Sequence, residues 1–141
     1  MTVAGKTYDS TTTATPTFTI SSGLVNSQTL TITGTATFGS SNVGVQTATA
    51  QTVSLSNGTG LASNYSLSTG QTATATITKA TLTVTGATTN VTYNASAQTN
   101  SAATVSGRQG SDVFTVSGYA TGTNAATYAC LLYTSDAADD T

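Results

Sequence analysis

Apolar and polar residues alternate with a period of two along most of this chain. Thr29-Leu30-Thr31-Ile32-Thr33 runs polar–apolar and continues past Gly34 as Thr35-Ala36-Thr37-Phe38. Gln71-Thr72-Ala73-Thr74-Ala75-Thr76-Ile77 and Thr81-Leu82-Thr83-Val84-Thr85 repeat the pattern. Successive side chains of an extended strand point to opposite faces, so this alternation predicts strands with one wet and one dry face. Residues 15–20, 46–55, 65–67, 91–93 and 113–119 fit the same template. Between them lie turn clusters: Ser21-Ser22-Gly23, Gly39-Ser40-Ser41-Asn42, Ser56-Asn57-Gly58-Thr59-Gly60 and residues 106–111. Asn57-Gly58 predicts a tight turn, because both residues tolerate positive φ. No stretch has helical periodicity. Short strands spaced by turns at roughly ten residues predict an all-β chain folded as antiparallel, two-layered β-sandwich repeats.

Composition sharpens that picture. Thr fills 36 of 141 positions, whereas Leu, Ile, Val and Phe together fill only 24. A core this lean borders on disorder, but disorder also needs high net charge, and the formal charge is only -2. Thr favours strands through its branched β-carbon. The chain has no His, Glu or Trp, one Cys, and three bases, Lys6, Lys79 and Arg108. General acid–base and nucleophilic catalysis need a positioned base, and hydroxyls alone do not supply one. A Ser–Lys hydrolase built on Lys79 is the one enzymatic alternative, and neither Lys lies in a recognisable catalytic motif. The sequence therefore predicts no catalytic residue and no cofactor. No metal site is expected either, since Asp9 and Asp112 stand about a hundred residues apart and calcium needs clustered oxygens. No basic patch suits nucleic acid, and no apolar window spans a membrane.

An internal repeat organises the chain. Thr2-Val3-Ala4-Gly5-Lys6-Thr7-Tyr8-Asp9 parallels Thr83-Val84-Thr85-Gly86 followed, after a short insertion, by Val91-Thr92-Tyr93-Asn94. The expected division is residues 1–79, a complete sandwich, and 80–129, a partial one. About fifty residues are too few to close a second core. An exposed sheet edge and self-association are expected of it. Residues 130–141 abandon the alternation and hold the only Cys and three of the five acids. That string resembles translated sequencing-adapter sequence, and Met1 reads as a start inside a longer gene.

Lys6-Thr7-Tyr8-Asp9-Ser10-Thr11-Thr12 resembles the Lys-x-Tyr-Asp-Gly-Thr-Thr signature of the YDG repeat of bacterial proteins related to filamentous haemagglutinin. Ala62-Ser63-Asn64-Tyr65-Ser66-Leu67 and Ala75-Thr76-Ile77-Thr78-Lys79-Ala80-Thr81-Leu82-Thr83-Val84 are similar to later parts of that repeat. The second unit, through Val91-Thr92-Tyr93-Asn94-Ala95-Ser96-Ala97-Gln98, resembles the related bacterial Ig-like repeat called MBG. The signature Gly is Ser10 in one unit and Ala95 in the other. If the turn geometry is kept, each sits at positive φ at a cost of roughly 1 kcal/mol. The resemblance implies an Ig-like stalk module of a large adhesin, secreted or on the bacterial cell surface. Its implied partners are neighbouring repeats of the same polypeptide and a host or neighbouring-cell surface.

Six residues are the motif candidates: Tyr8, Asp9, Asn64, Tyr65, Tyr93 and Asn94. An Asp beside an aromatic ring can contact sugars, which keeps a carbohydrate- or protein-binding module open as the alternative. The competing reading is a turn in which Asp or Asn bonds its own backbone while Tyr packs on the sheet. Four Asn-x-Ser/Thr sequons are no more than 53 Ser and Thr residues give by chance. The scattered Thr-x-Thr runs lack the strict spacing of ice-binding solenoids and read as solvent-face filler. Cys130 has no activating neighbours.

Overall fold

A computed structural model describes residues 1–129 and the backbone of Tyr133–Asp136. The expectation for residues 130–141 falls outside the described side chains. The chain is all-β, with several antiparallel sheets and, among the described residues, a single 3-10 turn at Ala62–Asn64. This agrees with the alternation and is consistent with a β-sandwich. It divides into two compact units, Met1–Lys79 and Ala80–Thr141.

The first unit holds β1 (Thr2–Val3), β2 (Lys6–Thr7), β3 (Thr13–Ala14), β4 (Pro16–Thr17), β5 (Leu30–Phe38), β6 (Gly44–Asn57) and β7 (Thr72–Thr78). Five of them form one sheet in the order β2-β7-β6-β5-β3, and β1 pairs with β4 in a two-stranded ribbon. All these ladders are antiparallel except one: β2 runs parallel to β7, with Lys6 opposite Ile77 and Thr7 opposite Thr78. That pair departs from the expected all-antiparallel arrangement, because β2 joins the sheet edge beside a strand some seventy residues later.

The dry face carries Ala36 and Phe38 of β5, Ala48 of β6 and Ile77 of β7, joined by Ala14 of β3. Met1, Val3, Tyr8 and Ala75 pack against this cluster. Ile77 and Ala48 have no exposed surface, and Phe38 retains 3%. Three of the five core residues are alanines, so most of the burial energy falls on Phe38 and Ile77, each worth about 1.5–3 kcal/mol. Threonines cover the other face.

A β-bulge reconciles the two halves of the long β5–β6 hairpin. Pairing runs from Leu30 opposite Asn57 to Gly34 opposite Val53, then resumes with Ala36 opposite Ala50. Thr35 therefore faces two residues, Gln51 and Thr52. The apolar phase of β6 slips at that place: Ala48 and Ala50 precede the bulge, Val53 and Leu55 follow it. The extra residue keeps all four on the same face. Gly34 is required there, because an added Cβ would run into the Thr52 carbonyl and the Phe18 ring.

Several expected strands are shortened or lost, among them residues 113–119, of which only Phe114–Ser117 form a strand. Residues 15–20 contribute only Pro16–Thr17, and the Phe18 ring beyond them lies against Gly34. Residues 65–67 form no strand, since Tyr65 closes the 3-10 turn with its amide bonded to the Ala62 carbonyl. Residues 91–93 form none either, for want of a neighbouring strand among the described residues. Asn57-Gly58 also differs from expectation, for neither residue has positive φ. Asn57 Oδ1 instead accepts the Ala62 amide at 2.7 Å, and Gly58 is needed because Thr29 packs where its Cβ would be.

The second unit holds β8 (Thr83–Gly86), β9 (Gln98–Thr99), β10 (Ala103–Ser106), β11 (Phe114–Ser117), β12 (Thr121–Gly122) and β13 (Tyr133–Asp136). They pair two by two, β8 with β10, β9 with β12 and β11 with β13. The pairs repeat the first unit. In β3–β5, Thr13 faces Thr37 and Ala14 faces Ala36; in β9–β12, Gln98 faces Gly122 and Thr99 faces Thr121, each residue 85 positions later. The β8–β10 ribbon likewise takes the place of β1–β4. Among the described residues of this unit no side chain is buried.

Candidate functional site

The most motif-like residues form a turn that leaves β2 and leads into β3. Lys6 ends on Nζ, which donates to Asp9 Oδ1 at 2.7 Å, to the Thr11 carbonyl at 2.7 Å and to Thr11 Oγ1 at 2.9 Å. Asp9 Oδ1 also accepts the Thr11 amide at 2.9 Å and the Thr11 hydroxyl at 2.9 Å. The carboxylate thus bonds its own backbone two residues on, and the ammonium closes the ring from outside. Held by the Lys6 ammonium first and by the Thr11 amide and hydroxyl second, the Asp9 carboxyl titrates at about 2, below its ordinary 3.8. The same Nζ stands 5.9 Å from the centre of the Phe38 ring, at the outer limit of a cation–π contact.

Ser10 sits between Asp9 and Thr11 at φ 62°, the left-handed conformation the signature glycine would take. Tyr8 places its amide on the Thr78 carbonyl at 2.8 Å and packs its side chain against the core. The turn is thereby fixed to the sheet through Tyr8 and to itself through Asp9.

The second unit repeats this turn 85 residues later. Ala95 has φ 60°, and Asn94 Oδ1 accepts the Ser96 amide at 3.0 Å, as Asp9 does for Thr11. Val91 stands where Lys6 does, so the clamp comes from another side chain. Gln98 Nε2 donates to Asn94 Oδ1 at 3.1 Å and to the Thr92 carbonyl at 3.0 Å. Tyr93, counterpart of the core-packed Tyr8, is 60% exposed. The sequence singled out Tyr93 and Asn94 but gave Gln98 no role. Its position at the start of β9, four residues past Asn94, is the signal that could have found it.

Asn64 and Tyr65 lie elsewhere in the first unit. The Tyr65 hydroxyl donates to Gln28 Oε1 at 2.6 Å and accepts the Val25 amide at 3.4 Å, pinning the long loop before β5 to the 3-10 turn. Asn64 is exposed and bonds the Leu61 carbonyl through its amide at 3.1 Å. Of the six candidates, Tyr8 and Asp9 share one turn, Tyr93 and Asn94 share its repeat, and Asn64 and Tyr65 stand apart. Among the described residues, no three of His, Cys, Asp or Glu cluster in a way that could hold a metal ion. Among the described residues no helix is long and apolar enough to cross a membrane.

The family model described as the YDG domain matches residues 1–75. Neither a curated protein nor a solved structure matches the chain.

Proposed function

The chain belongs to the YDG domain family, and from that premise we propose that it is a structural spacer within a large secreted or surface-attached bacterial adhesin. On this reading residues 1–79 are one Ig-like sandwich, residues 80–129 a partial repeat of the YDG or MBG kind, and neither carries out catalysis. The observation that carries the reading is the recurrence, 85 residues on, of both the β3–β5 register and the positive-φ turn. A binding loop is free to vary from copy to copy, whereas a turn that ties strand to strand must be rebuilt in each one. The hydrogen bonds of Lys6, Asp9 and Thr11 are spent on one another and on the backbone. Tyr8 is half-buried against the core, which leaves less of its ring for a sugar to stack on.

Polypeptides carrying one, two and three copies of residues 1–79 test this by small-angle scattering. A spacer predicts a maximum dimension that grows linearly with copy number, and collapse to a compact particle overturns it. A glycan array probed with the whole chain tests the binding-module alternative. Specific binding that Tyr8→Ala abolishes would replace the spacer reading.

A further inference from the structure

Of the eight asparagines in the chain, Asn57 alone precedes a glycine. The amide nitrogen that follows an asparagine can attack the side-chain carbonyl carbon and close a five-membered ring, and glycine puts no side chain in its way. Asn57 and Gly58 are both exposed, where β6 leaves the sheet. The fold demands both residues. Asn57 Oδ1 accepts the Ala62 amide at 2.7 Å, and Thr29 packs where a Cβ on residue 58 would be. The pair cannot be exchanged for a less reactive one without loosening the loop. That loop is fastened at several points. The Gly58 amide donates to the Gly60 carbonyl at 3.2 Å, and the Gly60 amide to the Thr29 carbonyl at 3.2 Å. Thr59 Oγ1 accepts the Thr29 amide at 2.8 Å, while Thr29 Oγ1 accepts the Thr59 amide at 3.1 Å. The attacking amide and the carbonyl it would attack are thus each held by another partner.

We propose that Asn57 is a site of spontaneous covalent modification, gated by the Thr29–Thr59 bridge. When the loop opens, the Gly58 nitrogen gives its proton to solvent and bonds to Asn57 Cγ. The bond from Cγ to the side-chain nitrogen breaks, and that nitrogen takes up a proton and leaves as ammonia. Water then reopens the cyclic imide at either carbonyl, leaving aspartate or isoaspartate at position 57. One water is consumed and one ammonia released, with no oxidant, reductant or cofactor. Either product adds a carboxylate to a unit whose charged side chains are only Lys6, Asp9 and Lys79. Isoaspartate also lengthens the backbone between residues 57 and 58, which draws Gly58 away from its close fit to Thr29.

The test holds the full chain at mildly alkaline pH, folded and in concentrated urea, and follows every asparagine by mass-spectrometric peptide mapping. In urea, conversion at position 57 is expected to outpace that at the other seven asparagines. In the folded chain it is expected to be at least about tenfold slower, because the loop must open first. Thr59→Val removes the acceptor of the Thr29 amide and is expected to speed conversion in the folded chain about two- to tenfold, with no change in urea. Thr59→Ser keeps the hydroxyl and is expected to keep the slow rate. Thr47→Val, exposed near the other end of β6, is expected to change neither rate. The proposal is overturned if position 57 is not converted in urea, or if the folded and urea rates are equal. It is equally overturned if folded Thr59→Val reacts no faster than the parent chain, or if Thr47→Val speeds conversion as much.

Discussion

The two units build the same turn and the same ladder on different foundations. In the first, Ala14 faces Ala36 inside a core closed by Phe38 and Ile77. In the second, the same two positions are Thr99 and Thr121, whose hydroxyls bond each other instead. The clamp on the turn changes as well, from the Lys6 ammonium on a carboxylate to the Gln98 amide on Asn94. Local hydrogen bonding within the turn is therefore independent of the core beneath it. Burial is another matter, for the first unit encloses Ala48 and Ile77 on β6 and β7, whereas no described side chain of the second is buried.

Removing the core is the strongest way to break this contrast. Ile77→Ala is expected to destabilise the first unit by about 2–5 kcal/mol through the cavity it leaves. Val116→Ala, on the half-buried face of β11, is expected to cost the second about 1 kcal/mol or less. Thermal melts followed by residue-resolved amide exchange would separate the two. Next comes the bulge in the β5–β6 hairpin of the first unit. Gly34→Val forces a side chain into the Thr52 carbonyl and the Phe18 ring, with an expected loss of about 1–3 kcal/mol measurable by urea unfolding.

The turns should respond alike where they are alike. Ser10→Gly and Ala95→Gly each relieve a non-glycine residue of a left-handed backbone, and each is expected to stabilise its own turn by about 0.5–1 kcal/mol. Slower exchange of the Thr11 and Ser96 amides is the readout. They should differ under acid. The Asp9 carboxyl is held below its ordinary value, so its contribution is complete above pH about 4 and is lost as pH falls toward 2. Asn94 does not titrate. Between pH 4 and 2 the Thr11 amide is expected to lose protection while the Ser96 amide keeps it, and the Lys6→Met variant should bring the Thr11 loss to higher pH.

Alternation made the long strands legible, because period two survives even where the dry face is only alanine. The positive φ at Ser10 and Ala95 was legible from the position of a missing glycine. Other features were hidden for identifiable reasons. The Tyr65–Leu67 alternation matches a strand locally, but the Tyr65 hydroxyl on Gln28 belongs to a contact 37 residues away. The parallel β2–β7 pair leaves no local trace, since nothing in Lys6-Thr7 names its partner. The β6 phase slip at Gln51-Thr52 was visible in the residues and marks the bulge once strands are aligned. Gln98 went unassigned because Asn94's clamp comes from the next strand, not from the position of Lys6.

The parallel pairing of β2 with β7 has a consequence for a chain under tension. These two strands lie near the entry and exit of the first unit, side by side and pointing the same way. A pull on opposite ends of the unit drags them past each other along their length. The Tyr8–Thr78 hydrogen bond and the neighbouring ladder contacts are then loaded together in shear, whereas an antiparallel pair at the termini would peel apart one bond at a time. Two residues of parallel register thus set the direction in which the unit is mechanically strong.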